Sequence, residues 1–304
     1  MPISSQYFSY TIFLLILQLL LPTILYASND CMYTSIIAFG NSLTDTGRCS
    51  DGRLIIDFLA KGLGLPFIPP YVGSKENGNK TELGKDCKLK IRHSLFLVGE
   101  IGGNDYSMEL VAGKSIKQVK SFVPLVIDKI TTTVKKLIEL GGKIFVVPNL
   151  LPIECTPLAL TLFKSSDAKM YDNTTGCLIS IKKLEEYHNQ LLQRELHKIR
   201  VNFPKVNVIY ADYYNAALQL YRSPTQFGFV QPLRACCGGG GPYNYNPSAL
   251  CGERSSTVCA HPNRFVNWDE IHLTEAAYRM IYKSVFKGSY SIPRFSSLCP
   301  AIAS

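Results

Sequence analysis

The chain has 304 residues, 32 Lys and Arg against 23 Asp and Glu, a net charge of +9, and 46% hydrophobic against 18% charged residues. That balance excludes a disordered tail protein, and the length suits one α/β domain with a full core.

The first feature along the chain is the apolar run Ile12 to Leu21, followed by Pro22 and the small residues Ala27 and Ser28. It reads as a signal peptide over 1–27, cleaved near Ala27, leaving 28–304 as a single secreted domain. No Lys or Arg precedes Arg48, so the usual positive n-region is missing. The alternative is a membrane anchor, but the run is shorter than the ~20 residues a spanning helix needs, so no stable anchor is expected. All ten cysteines follow the proposed cleavage point, which in an oxidising compartment predicts disulfides of unspecified pairing. Asn79-Lys80-Thr81 and Asn173-Thr174-Thr175 are glycosylation acceptors, whereas Asn246-Pro247-Ser248 is disqualified by its proline. Cys251, Cys259 and His261 match no strong zinc spacing, and no metal is expected.

Short β-branched runs alternate with helical stretches. Ser35 to Phe39 is a buried strand and Leu54 to Leu63 an amphipathic helix. Ser94 to Ile101 is a second strand. Ser115 to Leu140 is a helix interrupted by Pro124 and stopped at Gly141-Gly142. Lys143 to Val147 is a third strand, Ile179 to Val201 a helix, Val206 to Ala211 a fourth strand, Tyr213 to Tyr221 a short helix, and Thr274 to Phe286 a last helix. Lys114, Lys117, Lys120, Lys129, Lys135 and Lys136 read as a solvated face, and no basic stripe interleaved with aromatics marks a nucleic-acid surface. Strand–helix alternation predicts βαβ units and a parallel sheet covered on both faces. Functional groups then belong at the carboxyl ends of the strands. The polar clusters Gly40-Asn41-Ser42, Gly102-Gly103-Asn104-Asp105 and Pro148-Asn149 fall there. Gly238 to Gly241 is a tight loop beside Cys236-Cys237 and not a phosphate cradle, since no Lys-Ser/Thr follows.

Three of these positions carry nucleophilic chemistry in combination. Ser42, just past the first strand in F-G-N-S-L-T-D-T-G, presents a hydroxyl at the sheet edge, although a serine there also suits a simple cap. Asp269 precedes His272 by three residues in W-D-E-I-H-L-T, a spacing that lets one loop deliver an imidazole and the carboxylate that fixes its tautomer. Asn104 offers an amide to a developing oxyanion. The G-x-S-x-G elbow is absent.

These motifs, with S-D-G-R-L-I-I-D-F-L-A, L-V-G-E-I-G-G-N-D-Y, Y-A-D-Y-Y-N-A-A-L, L-R-A-C-C-G-G-G-G-P-Y-N and V-N-W-D-E-I-H-L-T-E-A-A-Y, resemble the GDSL (SGNH) hydrolase superfamily. The resemblance is to its plant GDSL esterase/lipase branch, nearest the acetylajmalan and sinapine esterase-like subgroup. It implies a three-layer, flavodoxin-like α/β/α fold and a carboxylic-ester hydrolase with Ser42 as nucleophile, His272 as base and Asp269 as its orienter. The backbone of Ser42 and the amide of Asn104 then line the oxyanion hole. The implied substrates are small-molecule or polymeric acyl esters of plant metabolites, wall polymers or lipids, met in the apoplast or cell wall, with no cofactor and no nucleic-acid partner.

The chain departs from that pattern in three places. Asn41 stands where the family often has Asp. The loop between Asp45-Thr46-Gly47 and Arg48-Cys49-Ser50-Asp51-Gly52 is short. After Pro69-Pro70-Tyr71, no G-x-N-F-A-x-x-G-A segment follows, and with it go an oxyanion glycine and one edge strand of the 2-1-3-4-5 order. Loss of one oxyanion donor costs about 10²–10³ in kcat. A catalytically silent relative, either a binding protein or a truncated product, therefore stands as the alternative to a slow esterase.

Overall fold

The computed structural model describes residues 33–42, 44, 49–68, 85–299 and 302. The proposed signal peptide, the Asn79 sequon and the Val72–Lys80 stretch lie outside the described residues.

Among the described residues five strands form the central sheet, in the order β1 (Ser35–Phe39), β2 (Ser94–Val98), β3 (Ile144–Pro148), β4 (Asn207–Ala211) and β5 (Ser291–Ile292). β1 to β4 run parallel, and β5 returns antiparallel, Tyr210 facing Ile292 and Ala211 facing Ser291. Among the described residues seven helices of eight residues or more accompany them: α1 (Ile55–Gly62), α2 (Lys85–Arg92), α3 (Gly103–Val111), α4 (Val123–Glu139), α5 (Ile179–Asn202), α6 (Tyr213–Arg222) and α7 (Glu275–Tyr282).

Alternation along the strands builds the three layers. Leu95 and Leu97 of β2 pack with Ile209 of β4 against α1, α6 and α7. Their neighbours Phe96 and Val98 pack with Phe145, Val147 and Val208 against α3, α4 and α5. Both faces of the inner strands are therefore dry, which is why β2 reads as an unbroken apolar run. β1 differs: it is only half-buried and ends on exposed Phe39. Among the described residues it is the edge of the sheet, the position expected once the outermost strand of the 2-1-3-4-5 order is lost.

Several boundaries moved for identifiable reasons. Pro124 does not interrupt a helix; it sits in the first turn of α4, where its missing N–H has no intrahelical partner to lose. The break falls earlier, after a short helix Ile116–Lys120 opened by a Ser115–Gln118 capping box. The second strand stops at Val98 rather than Ile101, because the Gly102-Gly103-Asn104-Asp105 cluster opens helix α3 and is not a loop. Gly102 is its N-cap at φ +117°, a conformation that favours glycine. The last helix remains α-helical only to Tyr282 and continues as a π-turn over Lys283–Lys287.

Disulfides join Cys155 to Cys177, Cys236 to Cys259 and Cys237 to Cys251, and Cys299 is also disulfide-bonded. The last two named pairs consume the sulfurs of Cys251 and Cys259, so the weak metal set with His261 does not exist. Gly238 belongs to a two-stranded ribbon, Cys237–Gly238 against Thr257–Val258, inside that cross-linked region. Cys155 and Cys177 are buried and 22 residues apart. Replacing both by Ala is expected to cost about 3 kcal/mol, from the entropy regained by the unfolded chain. A urea titration of the double variant beside wild type measures this.

Candidate active site

Ser42 lies in the turn that leaves β1, a turn closed by Thr44 N–H donating to the Asn41 carbonyl at 2.9 Å. Asp269 and His272 lie in the loop between the strand Phe265–Asn267 and α7. That loop is pinned by Trp268 N–H on the His272 carbonyl at 2.7 Å and by Thr274 Oγ1 on the Phe265 carbonyl at 2.8 Å. Thr274 also caps α7 through Ala277 N–H. The two segments are 230 residues apart in sequence, yet Ser42 Oγ stands 2.8 Å from His272 Nε2. On the other side of the ring, His272 Nδ1 lies 2.7 and 3.0 Å from the two Asp269 oxygens.

Asp269 is 8% exposed. Its Oδ1 accepts the backbone N–H groups of Ile271 at 2.9 Å and His272 at 2.7 Å. Burial opposes its ionisation, but the His272 ring and these two N–H donors outweigh burial and hold the carboxyl below its ordinary range. An ionised Asp269 fixes the proton on Nδ1 and leaves the Nε2 lone pair facing the serine hydroxyl. The arrangement can therefore take a proton from Ser42 as its oxygen attacks an electrophile.

Asn104, in the first turn of α3, lines the same cavity as Ser42 and His272. Much of the remaining wall is apolar, built from Leu151, Pro152, Ile153 and Leu273. Asn149, from the third polar cluster, is not part of this cavity. Its side chain is buried, donating to Tyr210 Oη at 2.7 Å and Asp212 Oδ1 at 2.9 Å while accepting Tyr214 N–H at 2.9 Å, so it ties β3 to the start of α6. Asn173 is exposed on a turn.

Sequence reasoning missed Glu100. It is 3% exposed, lines the cavity, and accepts Asn41 Nδ2 at 2.6 Å. Burial pushes its carboxyl up to about 7 against the opposing hydrogen bonds from Asn41 and the Gly103 backbone. The available signal was a carboxylate placed directly after a wholly apolar strand, in L-F-L-V-G-E.

A mainly parallel sheet covered on both faces, with Ser42, His272 and Asp269 hydrogen-bonded in a row beside the end of β1, defines a class: layered α/β proteins with a candidate site at the carboxyl ends of the strands. The comparisons give the family. The model of GDSL-like lipase/acylhydrolases matches residues 36–285. Two GDSL esterase/lipases of Arabidopsis thaliana are 36% and 37% identical to this chain, the first over 91% of it and 90% of the relative, the second over 93% and 94%. The chain belongs to the GDSL-like lipase/acylhydrolase family, and with it to the hydrolases that act on ester bonds. The first alignment is 353 positions long against a chain of 304 residues, so that relative carries stretches this chain lacks.

Proposed function

We propose that the protein is a secreted carboxylic-ester hydrolase that works through Ser42, His272 and Asp269. The observation that carries this reading is the 2.8 Å contact from Ser42 Oγ to His272 Nε2, on a ring whose Nδ1 is held by Asp269 at 2.7 Å. Ser42 Oγ attacks the ester carbonyl while His272 takes its proton, forming a tetrahedral oxyanion. His272⁺ then protonates the departing alcohol, and the acyl group stays on Ser42. Water, deprotonated by His272, attacks the acyl-enzyme and releases the acid. The Ser42 backbone N–H and the Asn104 amide face the oxyanion, and the apolar wall accommodates the carbon skeleton of the ester. Turnover is slow, because the sequence offers no glycine for a third oxyanion donor, a deficit of about 10²–10³ in kcat.

The substrates are acyl esters of plant metabolites, wall polymers or lipids. The buried disulfides support an oxidising compartment. Among the described residues no helix is long and apolar enough to cross a membrane. A leader over 1–27 and glycans on Asn79 and exposed Asn173 complete the secretory reading.

Treating the purified protein with a fluorophosphonate probe tests the mechanism. Wild type is expected to be labelled stoichiometrically, Ser42→Ala not at all, and His272→Ala at least a hundredfold more slowly. Absence of labelling in a folded wild type would sink the mechanism and leave a catalytically silent family member.

A further inference from the structure

We propose that Glu100 is a positioning residue that sets the spacing between the nucleophile turn and the oxyanion helix, by holding Asn41 and Gly103 on one carboxylate. The proposal rests on the esterase reading above.

The geometry is specific. One Glu100 oxygen accepts Asn41 Nδ2 at 2.6 Å, and Asn41 is the residue before Ser42. The same carboxylate accepts the backbone N–H of Gly103, and Gly103 is the residue before Asn104. The carboxylate lies so close to Gly103 that a Cβ there would stand 2.6 Å from Glu100 Oε1. Glycine at 103 is thus what lets the helix start approach the acid. Glu100 itself follows β2 by two residues, and β2 pairs with β1 along its whole length, Phe39 facing Val98. The sheet therefore fixes the backbone on both sides, and the carboxylate fixes what leaves it.

A buried carboxylate is expensive, and two donors from two separate segments are what make it tolerable. A group kept only for packing would be served as well by an apolar side chain. The gain from this one is relative placement of Ser42 and Asn104, whose distance to the reacting carbonyl decides the rate steeply. Glutamine cannot substitute. Its N–H₂ takes the place of one carboxylate oxygen, where it can only donate, so the remaining oxygen must shift to serve both donors and the spacing they set is lost.

The test uses the full chain with p-nitrophenyl acetate, kcat being normalised to the fraction of molecules titrated by the fluorophosphonate. Glu100→Gln is expected to lower kcat at least tenfold with KM changed less than threefold, the pattern of a loss felt in the transition state. Asn41→Leu removes one of the two donors and is expected to lower kcat in the same way. In Asn41→Leu/Glu100→Gln the losses should not multiply, because both variants break one contact. If Glu100→Gln folds poorly, Asn41→Leu carries the same kcat-against-KM readout alone. Unchanged normalised kcat in either single variant, or fully multiplicative losses in the double one, overturns the clamp while wild type still labels and Ser42→Ala does not. A wild type that does not label at all overturns the esterase reading and the clamp together, so the two failures are distinct.

Discussion

Replacing Asp269 by Asn is expected to lower kcat for an acyl ester about 10⁴-fold while leaving the fold intact. The reason lies in which atoms are committed. Asp269 Oδ1 accepts the N–H groups of Ile271 and His272 at 2.9 and 2.7 Å, and an asparagine carbonyl can keep both. Its amide nitrogen then replaces the Oδ2 that faces His272 Nδ1 at 2.7 Å. An N–H₂ group there can only donate, so Nδ1 becomes the acceptor and the ring proton moves to Nε2. That proton points at Ser42 Oγ, 2.8 Å away, and the base is blocked. The phosphonylation rate and kcat should fall together, with thermal unfolding close to wild type. A loss of less than tenfold would remove Asp269 from the assigned role.

A second large effect is expected beneath the apolar wall of the cavity. Glu185 of α5 is fully buried and accepts Ile153 N–H at 2.7 Å and Glu154 N–H at 3.4 Å. Glu154, equally buried, accepts the Tyr214 hydroxyl at 2.6 Å. Burial raises the Glu185 carboxyl well above its ordinary range, and the adjacent Glu154 carboxylate raises it further. Like charges this deep cannot both ionise, so the pair keeps a proton that the unfolded chain releases near its ordinary range of about 4.3. Folding then takes up a proton. This contribution to stability is fully present below about pH 4.3 and declines as pH rises toward the raised range of the pair, by up to about 1.4 kcal/mol per pH unit. Glu185→Ala strands two buried N–H donors and leaves a void, and is expected to cost about 3–5 kcal/mol. Glu185→Gln retains an acceptor for Ile153 and removes the carboxyl raised furthest, so its stability should vary less steeply with pH than wild type's, the remainder coming from Glu154, which its own burial raises. Urea titrations from pH 5 to 9 separate the two variants. An unchanged slope in Glu185→Gln would assign the pH dependence elsewhere.

How much of this was legible beforehand depended on whether the relevant signal was local. The inner parallel strands were readable as apolar runs because both of their faces are buried, and half-buried Ser35–Phe39 begins and ends where the sequence placed it. α5 was readable from its apolar spacing, and α4 stops before Gly141-Gly142 as expected. β5 was not, since two residues closing an edge in antiparallel pairing leave no periodicity to detect. Helix α3 was hidden because its first turn is Gly-Gly-Asn-Asp, a composition equally at home in a loop.

The family and the layered α/β fold were legible in short motifs, and the same motifs nominated Ser42, Asn104, Asp269 and His272 as candidates, because each sits in a short motif tied to the end of one element. The pairing of the cysteines, the reach of Asn41 to Glu100 and the shared dry site of Glu154 and Glu185 came from long-range packing. Asn41 and Glu100 are 59 residues apart, and Glu154 and Glu185 are 31 apart. Contacts at such separations are set by strand register and by which face of a helix turns inward. The energy of a carboxylate depends on that burial and on its donors, and neither is written in the residues beside it.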